Sequence, residues 1–372
     1  MGKTFLILGG YGNTGRILSE LLLKHTDCKI IIAGRNQILA EKTARVLNEQ
    51  FFDDRASALR IEASIRNSLT DKFYTADMVI AASSTSRFTK NIAEAAIKTG
   101  IDYIDINMSS QRKIDILKNL SPQIVEKKLL FITDCGLDPG MPAALVRYAA
   151  RYFDKLEIAN VCSLIRMNWQ EVEYTPSKIM EMAEEFRDYE PLSFRENKWR
   201  KAHYNDYKKF DFDDQFKLIS GAPVMLEEMR QLPEKYPALR ESGFYVAGLN
   251  SYINYFVVPV GRFFLKLAPG LTAKTFGKSF IWGLKKFAKP PFKTMLLLSA
   301  VGRKNDLTKE VRIKVSHNNG YWLTAASVTA LLFQYLRGNF NKSGLYLQGN
   351  LVDPAVFLKD LESIGANITI NN

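Results

Sequence analysis

The sequence predicts an α/β protein: a doubly wound parallel sheet, then a region of α+β character, and near the carboxyl terminus an apolar helix that must be covered. Three observations predict it. An apolar run at 3–8 stops at a glycine turn and gives way to helical periodicity. Strand and helix patterns then alternate through 129–133, as a parallel sheet requires. Lastly, 324–336 reads as a helix too apolar all round to face water, so another part of the chain must cover it. With 372 residues, 47% of them hydrophobic and 24% charged, the chain is long enough for two domains and its composition excludes disorder.

Phe5, Leu6, Ile7 and Leu8 form the continuous apolar run of a strand covered on both faces. Gly9-Gly10-Tyr11-Gly12-Asn13-Thr14-Gly15 comes next, then Ile17, Leu18, Leu21 and Leu22 at helical spacing. Gly10, Gly12 and Gly15 fit G-x-G-x-x-G, which needs glycine for separable reasons: a tight turn, unobstructed approach of a diphosphate, and close packing of helix on strand. The amides of Tyr11, Asn13 and Thr14 fall at the helix start, where an anion is stabilised. A bare structural turn is the alternative. A second strand at 29–33 ends in Gly34-Arg35-Asn36, where an NAD site would carry Asp or Glu. No acid occurs between Asp27 and Glu41, and Arg35 stands there instead. A guanidinium pairs with a 2′-phosphate and lies flat on adenine, so NADP is the expected cofactor; the bland reading is an exposed arginine at a strand end. Further strands are read at 59–61, 78–82, 101–106 and 129–133, with a helix at 90–99. Ser83 and Ser84, and Asp105-Ile106-Asn107, then lie at the ligand cleft of a Rossmann-type sheet.

After the sixth strand comes Asp134-Cys135-Gly136-Leu137-Asp138-Pro139-Gly140-Met141-Pro142. With the glycine turn, the Gly34-Arg35 corner and Tyr103-Ile104-Asp105, this stretch resembles the saccharopine dehydrogenase family. The resemblance resumes at Tyr321-Trp322-Leu323-Thr324-Ala325, Gly338, Gly344, Asp353-Pro354, Phe357 and Leu361, and covers the two ends of the chain. It implies an NADP-binding domain at 1–150, an inserted substrate and dimerisation domain at 151–320, and helices at 321–372 that return to the first domain, with a homodimer as the assembly. It also implies that Gly136, Leu137 and Asp138 border the nicotinamide and that Ser84 and Thr85 touch cofactor or substrate. Asp134 and Asp138 are the catalytic candidates, able to orient a water or a substrate amine, although Asp before Pro also initiates turns. Cys135 reads as a small buried hydrophobe.

The net charge of +12 has one location. Between Glu241 and Asp306 lie 64 residues with ten lysines and arginines and no acid, while the other 308 balance 41 bases against 39 acids. Within this stretch, 252–293 is basic and aromatic. Tyr252 to Leu267 is interrupted by Pro259, Arg262 and Lys266, short of a bilayer span. On a wheel, Phe276, Phe280, Ile281, Leu284, Phe287 and Ala288 share one face of a helix at 272–289, with Lys274, Lys278, Lys285, Lys286 and Lys289 opposite. Such a helix lies in an anionic membrane interface or packs its apolar face internally, and both readings stand. Nucleic acid is set aside, because no recognition motif accompanies the charge. Residues 177–217 are charge-dense and read as a solvated helix followed by an irregular surface insertion. Runs at 295–301 and 311–315 read as a hairpin with Gly302, Asn305 and Asp306 between them.

Three scattered cysteines, Cys28, Cys135 and Cys162, and three histidines form neither a disulfide framework nor a zinc site. A metal-free cytoplasmic protein is expected, peripheral at a membrane if the basic helix meets lipid; the first apolar run is too short for an export signal. The expected function is NADP-dependent oxidoreduction, with hydride passing between nicotinamide and a C=N, C=O or activated C=C bond of a small molecule. An apolar or membrane-delivered substrate is preferred to an amino acid clamped by Arg87 or Arg166. Two alternatives stay open. Tyr174 to Lys178 and Tyr204 to Lys208 match the Y-x-x-x-K of short-chain reductases, a match that sixteen tyrosines also produce by chance. The other is a sensor or scaffold that binds the nucleotide without turnover.

Overall fold

Apolar runs in the amino-terminal part become parallel strands. β1 (Thr4–Leu8), β2 (Lys29–Gly34), β3 (Ala56–Arg60), β4 (Met78–Ala81), β5 (Asp102–Asp105) and β6 (Leu130–Thr133) lie in the order β6-β5-β4-β1-β2-β3, every pair parallel. The computed structural model describes every residue except 1, 175, 190, 204, 205, 213 and 214. Two units make up the chain: 1–144 with 321–366, and 145–320 with 367–372. In the first, helices cover both faces of the sheet, which is why the strands read as unbroken apolar runs instead of alternating. Strand order reverses between β1 and β4, and the crevice at their carboxyl ends is where such sheets hold ligands.

The second unit is built on a mixed sheet. β7 (Lys155–Arg166), β8 (Leu192–Arg195), β9 (Lys198–Lys201), β10 (Lys208–Asp211), β11 (Leu218–Val224), β12 (Glu241–Ala247), β13 (Lys293–Lys304) and β14 (Leu307–His317) run β10-β11-β12-β7-β13-β14, with β8 joining β12 to β9. Only β12 and β7 pair in parallel. The expected hairpin is β13–β14, longer than read, and its two-residue loop is Asn305-Asp306 at φ 51° and 61°, whose twist suits paired strands. Gly302 is not in the turn. It sits inside β13 where the register against β7 shifts, and a Cβ there would lie 2.2 Å from the Lys155 carbonyl.

The charge-dense 177–217 region departs from its reading. Helix Pro176–Asp188 buries Met182 and Ala183, and the Phe186 ring packs on Phe276 and Phe280 at 5.4 and 4.9 Å, so one face is core and only the other is solvated. The chain beyond this helix is regular: β8 and β9 form a hairpin turning on Glu196-Asn197, both at positive φ, and β10 extends the sheet. Charge masked the strands because few of their residues are buried, Ser193 and Phe194 in β8 and Phe210 in β10, while the rest are partly or fully exposed. Asp213 and Asp214 lie outside the described residues.

The basic segment folds as a π-helical turn Ile253–Val257, helix Val258–Leu267 and helix Pro269–Lys286. Phe276, Phe280 and Leu284 are buried as their spacing predicts, against Met182, Ala183, Ile253, Val257 and Leu265. Phe287 is a correction. The helix ends at Lys286, so Phe287, Ala288 and Lys289 fall outside its periodicity and Phe287 is exposed. A wheel extended past its helix assigns faces that do not exist. No helix among the described residues is long and apolar enough to cross a membrane.

The chain then comes back to the first sheet. Helix Gly320–Leu336 buries Leu323, Ala326, Val328, Leu331 and Leu332 together with Ser327 and Gln334, so polar and apolar faces alike are covered. The return is more than helices: β15 (Gly344–Leu347) adds beside β6 as a seventh parallel strand, and β16 (Asn367–Asn371) pairs with β14 in the second sheet. The returning residues are locked by specific polar bonds. Tyr335 donates to Asp102 at 2.7 Å, Arg337 clamps Asp360 at 2.7 and 2.9 Å, and Asp353 caps helix Pro354–Ile364 by accepting from the amides of Ala355 and Val356.

Candidate functional site

The three turn glycines occupy three different steric environments. A Cβ on Gly10 would press on Ile32 at 3.1 Å and one on Gly15 would lie 2.3 Å from the Gly9 carbonyl, whereas one on Gly12 would meet nothing closer than that carbonyl at 3.1 Å. Gly10 thus holds the turn against β2, Gly15 packs helix Asn13–His25 on the turn, and Gly12 is crowded only by the one carbonyl oxygen. That helix starts at Gly12 without a side-chain cap, so its first amides are aimed outward with the positive end of the dipole. Ser83 closes against Gly9, where a glycine Cβ would sit 2.5 Å from the serine Cβ, and this places Ser83 and Ser84 beside the turn.

Tyr11 links the turn to the end of β2. Its ring lies over Gly34, where a Cβ would be 2.5 Å from a ring carbon, and its hydroxyl accepts from the Asn36 amide at 3.2 Å. Asn36 is committed locally: its side chain caps helix Gln37–Phe51 by accepting from the Leu39 amide at 3.1 Å. Asn36 thereby holds the corner's shape through Tyr11 and this cap. Arg35 is exposed between them and makes no ion pair among the described residues.

The loop after β6 is buried and densely bonded. Cys135 is 1% exposed, a small buried hydrophobe, while Asp138 is half-buried. The Gly136 amide donates to Gln348 Oε1 at 3.2 Å, and its carbonyl accepts from Ser327 Oγ at 2.5 Å, with Gln348 Nε2 donating to the same hydroxyl at 2.7 Å. Gly140, at φ 123°, leaves no room for a side chain: a Cβ would lie 2.5 Å from the Gly136 carbonyl. Gln348 and Ser327 carry no sequence signal, because they reach the loop only through the returning segment.

Beneath these loops is a buried charge cluster. Lys113, 2% exposed, donates to Asp105 Oδ1 at 2.8 Å and to the Asn107 carbonyl at 2.8 Å, and pairs with Asp134 Oδ1 at 2.6 Å. Thr133 and Tyr103 hydroxyls donate to Asp105 Oδ2 at 2.6 and 3.0 Å. Burial opposes the lysine's charge, but Asp105 and Asp134 outweigh it and hold the ammonium above its ordinary value. Burial raises the Asp134 carboxyl above the usual range, with Lys113 opposing. Asp134 is therefore enclosed and paired, not presented to a substrate. Lys113 is absent from the residues singled out by sequence, although a lysine beside Ile114 and Leu117 on the apolar side of helix Gln111–Glu126 is a readable anomaly.

Of the Y-x-x-x-K matches, Tyr204 lies outside the described residues, and Tyr174 packs into the cluster around Phe276 with Lys285 Nζ 5.8 Å above its ring. Arg166 lies over Phe216 at 5.5 Å. Among the described residues no group of three His, Cys, Asp or Glu side chains is placed to hold a metal.

A parallel sheet with reversed order, an uncapped helix start and a glycine turn together define a Rossmann-type dinucleotide-binding fold. Comparison narrows this for one part of the chain: residues 5–128 match the family described as Saccharopine dehydrogenase NADP binding domain. Over its whole length the chain shares the fold of apo saccharopine dehydrogenase (L-Glu forming) from Saccharomyces cerevisiae, with TM-score 0.70, 12% identity and 100% of each chain covered. Two more distant structures are the C. glutamicum DAP dehydrogenase in complex with DAP (TM-score 0.48, 13% identity, 97% and 98% covered) and an engineered D-amino acid dehydrogenase bound to NADP+ (0.48, 13%, 98% and 99%). The expected NADP domain and α/β architecture are thereby met.

Proposed function

We propose that this protein is an NADPH-dependent oxidoreductase acting on a C=N, C=O or activated C=C bond of a small molecule. One observation carries the reading: a Cβ on Gly15 would lie 2.3 Å from backbone and one on Gly10 would be pressed by three atoms at 3.1 Å, whereas one on Gly12 would touch a single carbonyl oxygen at 3.1 Å and nothing else, the graded crowding a diphosphate cradle requires. The residues present fit the cofactor. The backbone of Gly10, Tyr11, Gly12, Asn13, Thr14 and Gly15 would hold the diphosphate, Arg35 the 2′-phosphate, Ser83 and Ser84 the adjoining groups, and Gly136, Leu137 and Asp138 the nicotinamide side. When bound, the cofactor supplies the hydride. Asp138 is the carboxylate that orients the substrate, and Asp134 acts at one remove by holding the loop on Lys113. We place the substrate among apolar, membrane-delivered molecules, a reading supported by the exposed aromatic side chains of the second unit. The family plan supports a homodimer, which sedimentation velocity reads directly.

Calorimetry with both reduced coenzymes tests the core of this reading. Wild type binds NADPH in preference to NADH, and Arg35→Ala lowers NADPH affinity about 10- to 100-fold while leaving NADH unchanged, as loss of a charge-assisted pair predicts. An unaltered preference in the variant removes Arg35 from the site, and no heat with either coenzyme removes the whole proposal. Binding without NADPH consumption across carbonyl, imine and enoyl substrates favours the sensor reading instead.

A further inference from the structure

Helix Val258–Leu267 has two apolar faces, and only one is used. Inward, Ile253, Val257 and Leu265 are buried, and Gly261 lets the helices meet so closely that a Cβ there would lie 2.1 Å from the Phe276 ring. Outward, Val260, Phe263, Phe264 and Leu267 repeat at three- and four-residue intervals on this helix, with Phe256 in the turn before it and Leu271 in the helix after it, and all six are 42 to 85% exposed. Trp282 and Phe287, both exposed, extend this surface through Tyr252, whose ring lies 5.3 and 5.8 Å from theirs. A contiguous apolar face of this kind is rare on a protein that meets only water.

The charges the segment itself carries are of one sign, while Glu184, Glu185 and Asp188 lie on the neighbouring helix Pro176–Asp188 that packs against it. Lys266, Lys274, Lys278, Lys286 and Lys289 are exposed and make no ion pair among the described residues, in a stretch of 64 residues without an acid. A second copy docking by the same face would bring lysines against lysines. A neutral apolar partner would leave them uncompensated. We infer that the outward face of 256–271, with Trp282 and Phe287, seats in the headgroup boundary of an anionic lipid bilayer, its hydrocarbon side chains entering the acyl region and its lysines meeting lipid phosphates. This deepens the proposed membrane delivery of substrate and names the surface that performs it: not the basic helix's own apolar face, which is core, but the second face of the helix before it.

Flotation with phosphatidylcholine vesicles carrying about 30 mol% phosphatidylglycerol, at roughly 0.1 M salt, tests it. Wild type floats with these vesicles and not with pure phosphatidylcholine. Phe263→Ser with Leu267→Ser, both at exposed positions, lowers partitioning at least about tenfold; Lys274→Gln with Lys278→Gln lowers it about twentyfold. Trp emission shifts to the blue on binding, and Trp282→Phe removes most of the shift. Each variant is checked for unchanged thermal unfolding and NADPH heat, so a failure of the cofactor reading is seen separately from a failure to bind lipid. No flotation of wild type, flotation indifferent to Phe263 and Leu267, or a wild-type dimer that the serine pair dissolves would each overturn the inference.

Discussion

Gly12→Val leaves the protein folded and abolishes NADPH binding, an expected loss of at least about 100-fold in affinity. Gly12 has φ −77° and ψ 172°, a conformation open to any residue, and its Cβ direction is open but for the Gly9 carbonyl. Valine here costs roughly 1–2 kcal/mol, because it is a poor helix start and the Gly9 carbonyl must give way slightly, and the protein stays folded. What valine fills is the space a diphosphate must enter, where backbone amides cannot reach past two methyl groups. Gly15→Val is the control of opposite sign. Its Cβ would lie 2.3 Å from the Gly9 carbonyl and 2.8 Å from Gly10 Cα, both backbone atoms, so unfolding temperature drops before binding is in question. Calorimetry and thermal unfolding on the two variants separate cofactor space from packing space; a Gly12→Val protein that binds NADPH like wild type contradicts the cradle.

Lys113→Met is expected to cost about 3–5 kcal/mol, the usual result of removing one member of a buried ion pair. Two carboxylates share this ammonium, and they are not equally supported. Asp105 also accepts from Thr133, Tyr103 and the Asn107 amide, whereas Asp134 has Lys113 at 2.6 Å as its one charged partner and is otherwise supported by the hydroxyls of Ser109 and, at 3.5 Å, Thr133. The loss has a pH dependence of defined sign. Asp134 has a folded-state pKa raised above its unfolded value, because burial penalises its charge, so the fold favours its protonated form. Its contribution is fully present below the unfolded value and is lost as pH rises through the raised folded one. Removing Lys113 raises Asp134 further. The deficit of Lys113→Met is therefore largest at neutral pH and narrows on acidification, as Asp134 takes up a proton. Wild type behaves differently at the other end: Lys113 is held above the ordinary lysine value, so the stability its charge adds persists through neutral pH and is lost only as pH rises through that raised value. Urea unfolding of both proteins across this range checks the prediction, and a deficit independent of pH would mean that the lysine's packing, not its charge, supports the loops.

The glycine turn and the buried lysine differ in how far they can be read from the chain. The turn and the Arg35 corner are legible because their chemistry is local: a few consecutive residues set a strand end, a backbone path and a helix start. The hairpin at 293–317 and the apolar helix at 320–336 are legible for the same reason, as period and burial demand follow from adjacent residues. Asp134 misleads. Its neighbourhood in sequence suggests a loop carboxylate near substrate, and its true partner, Lys113, belongs to the helix before β6. The hairpin β8–β9 is hidden by charge, and Phe287 is given a face by a helix that has already ended.

Composition and spacing alone determined that this chain would build a parallel nucleotide-binding sheet, that an arginine would stand at the end of its second strand, and that one stretch would hold nearly all its excess charge. Tertiary structure decided which of two apolar faces on 253–286 is core and which meets solvent, which carboxylate is locked to a buried lysine, and that Gln348 and Ser327 clamp a loop some 200 residues away in sequence. The reason is one of range. Turn geometry and periodicity are set by neighbours along the chain, whereas burial and ion pairing depend on what distant segments bring to the same place, and no local pattern carries that information.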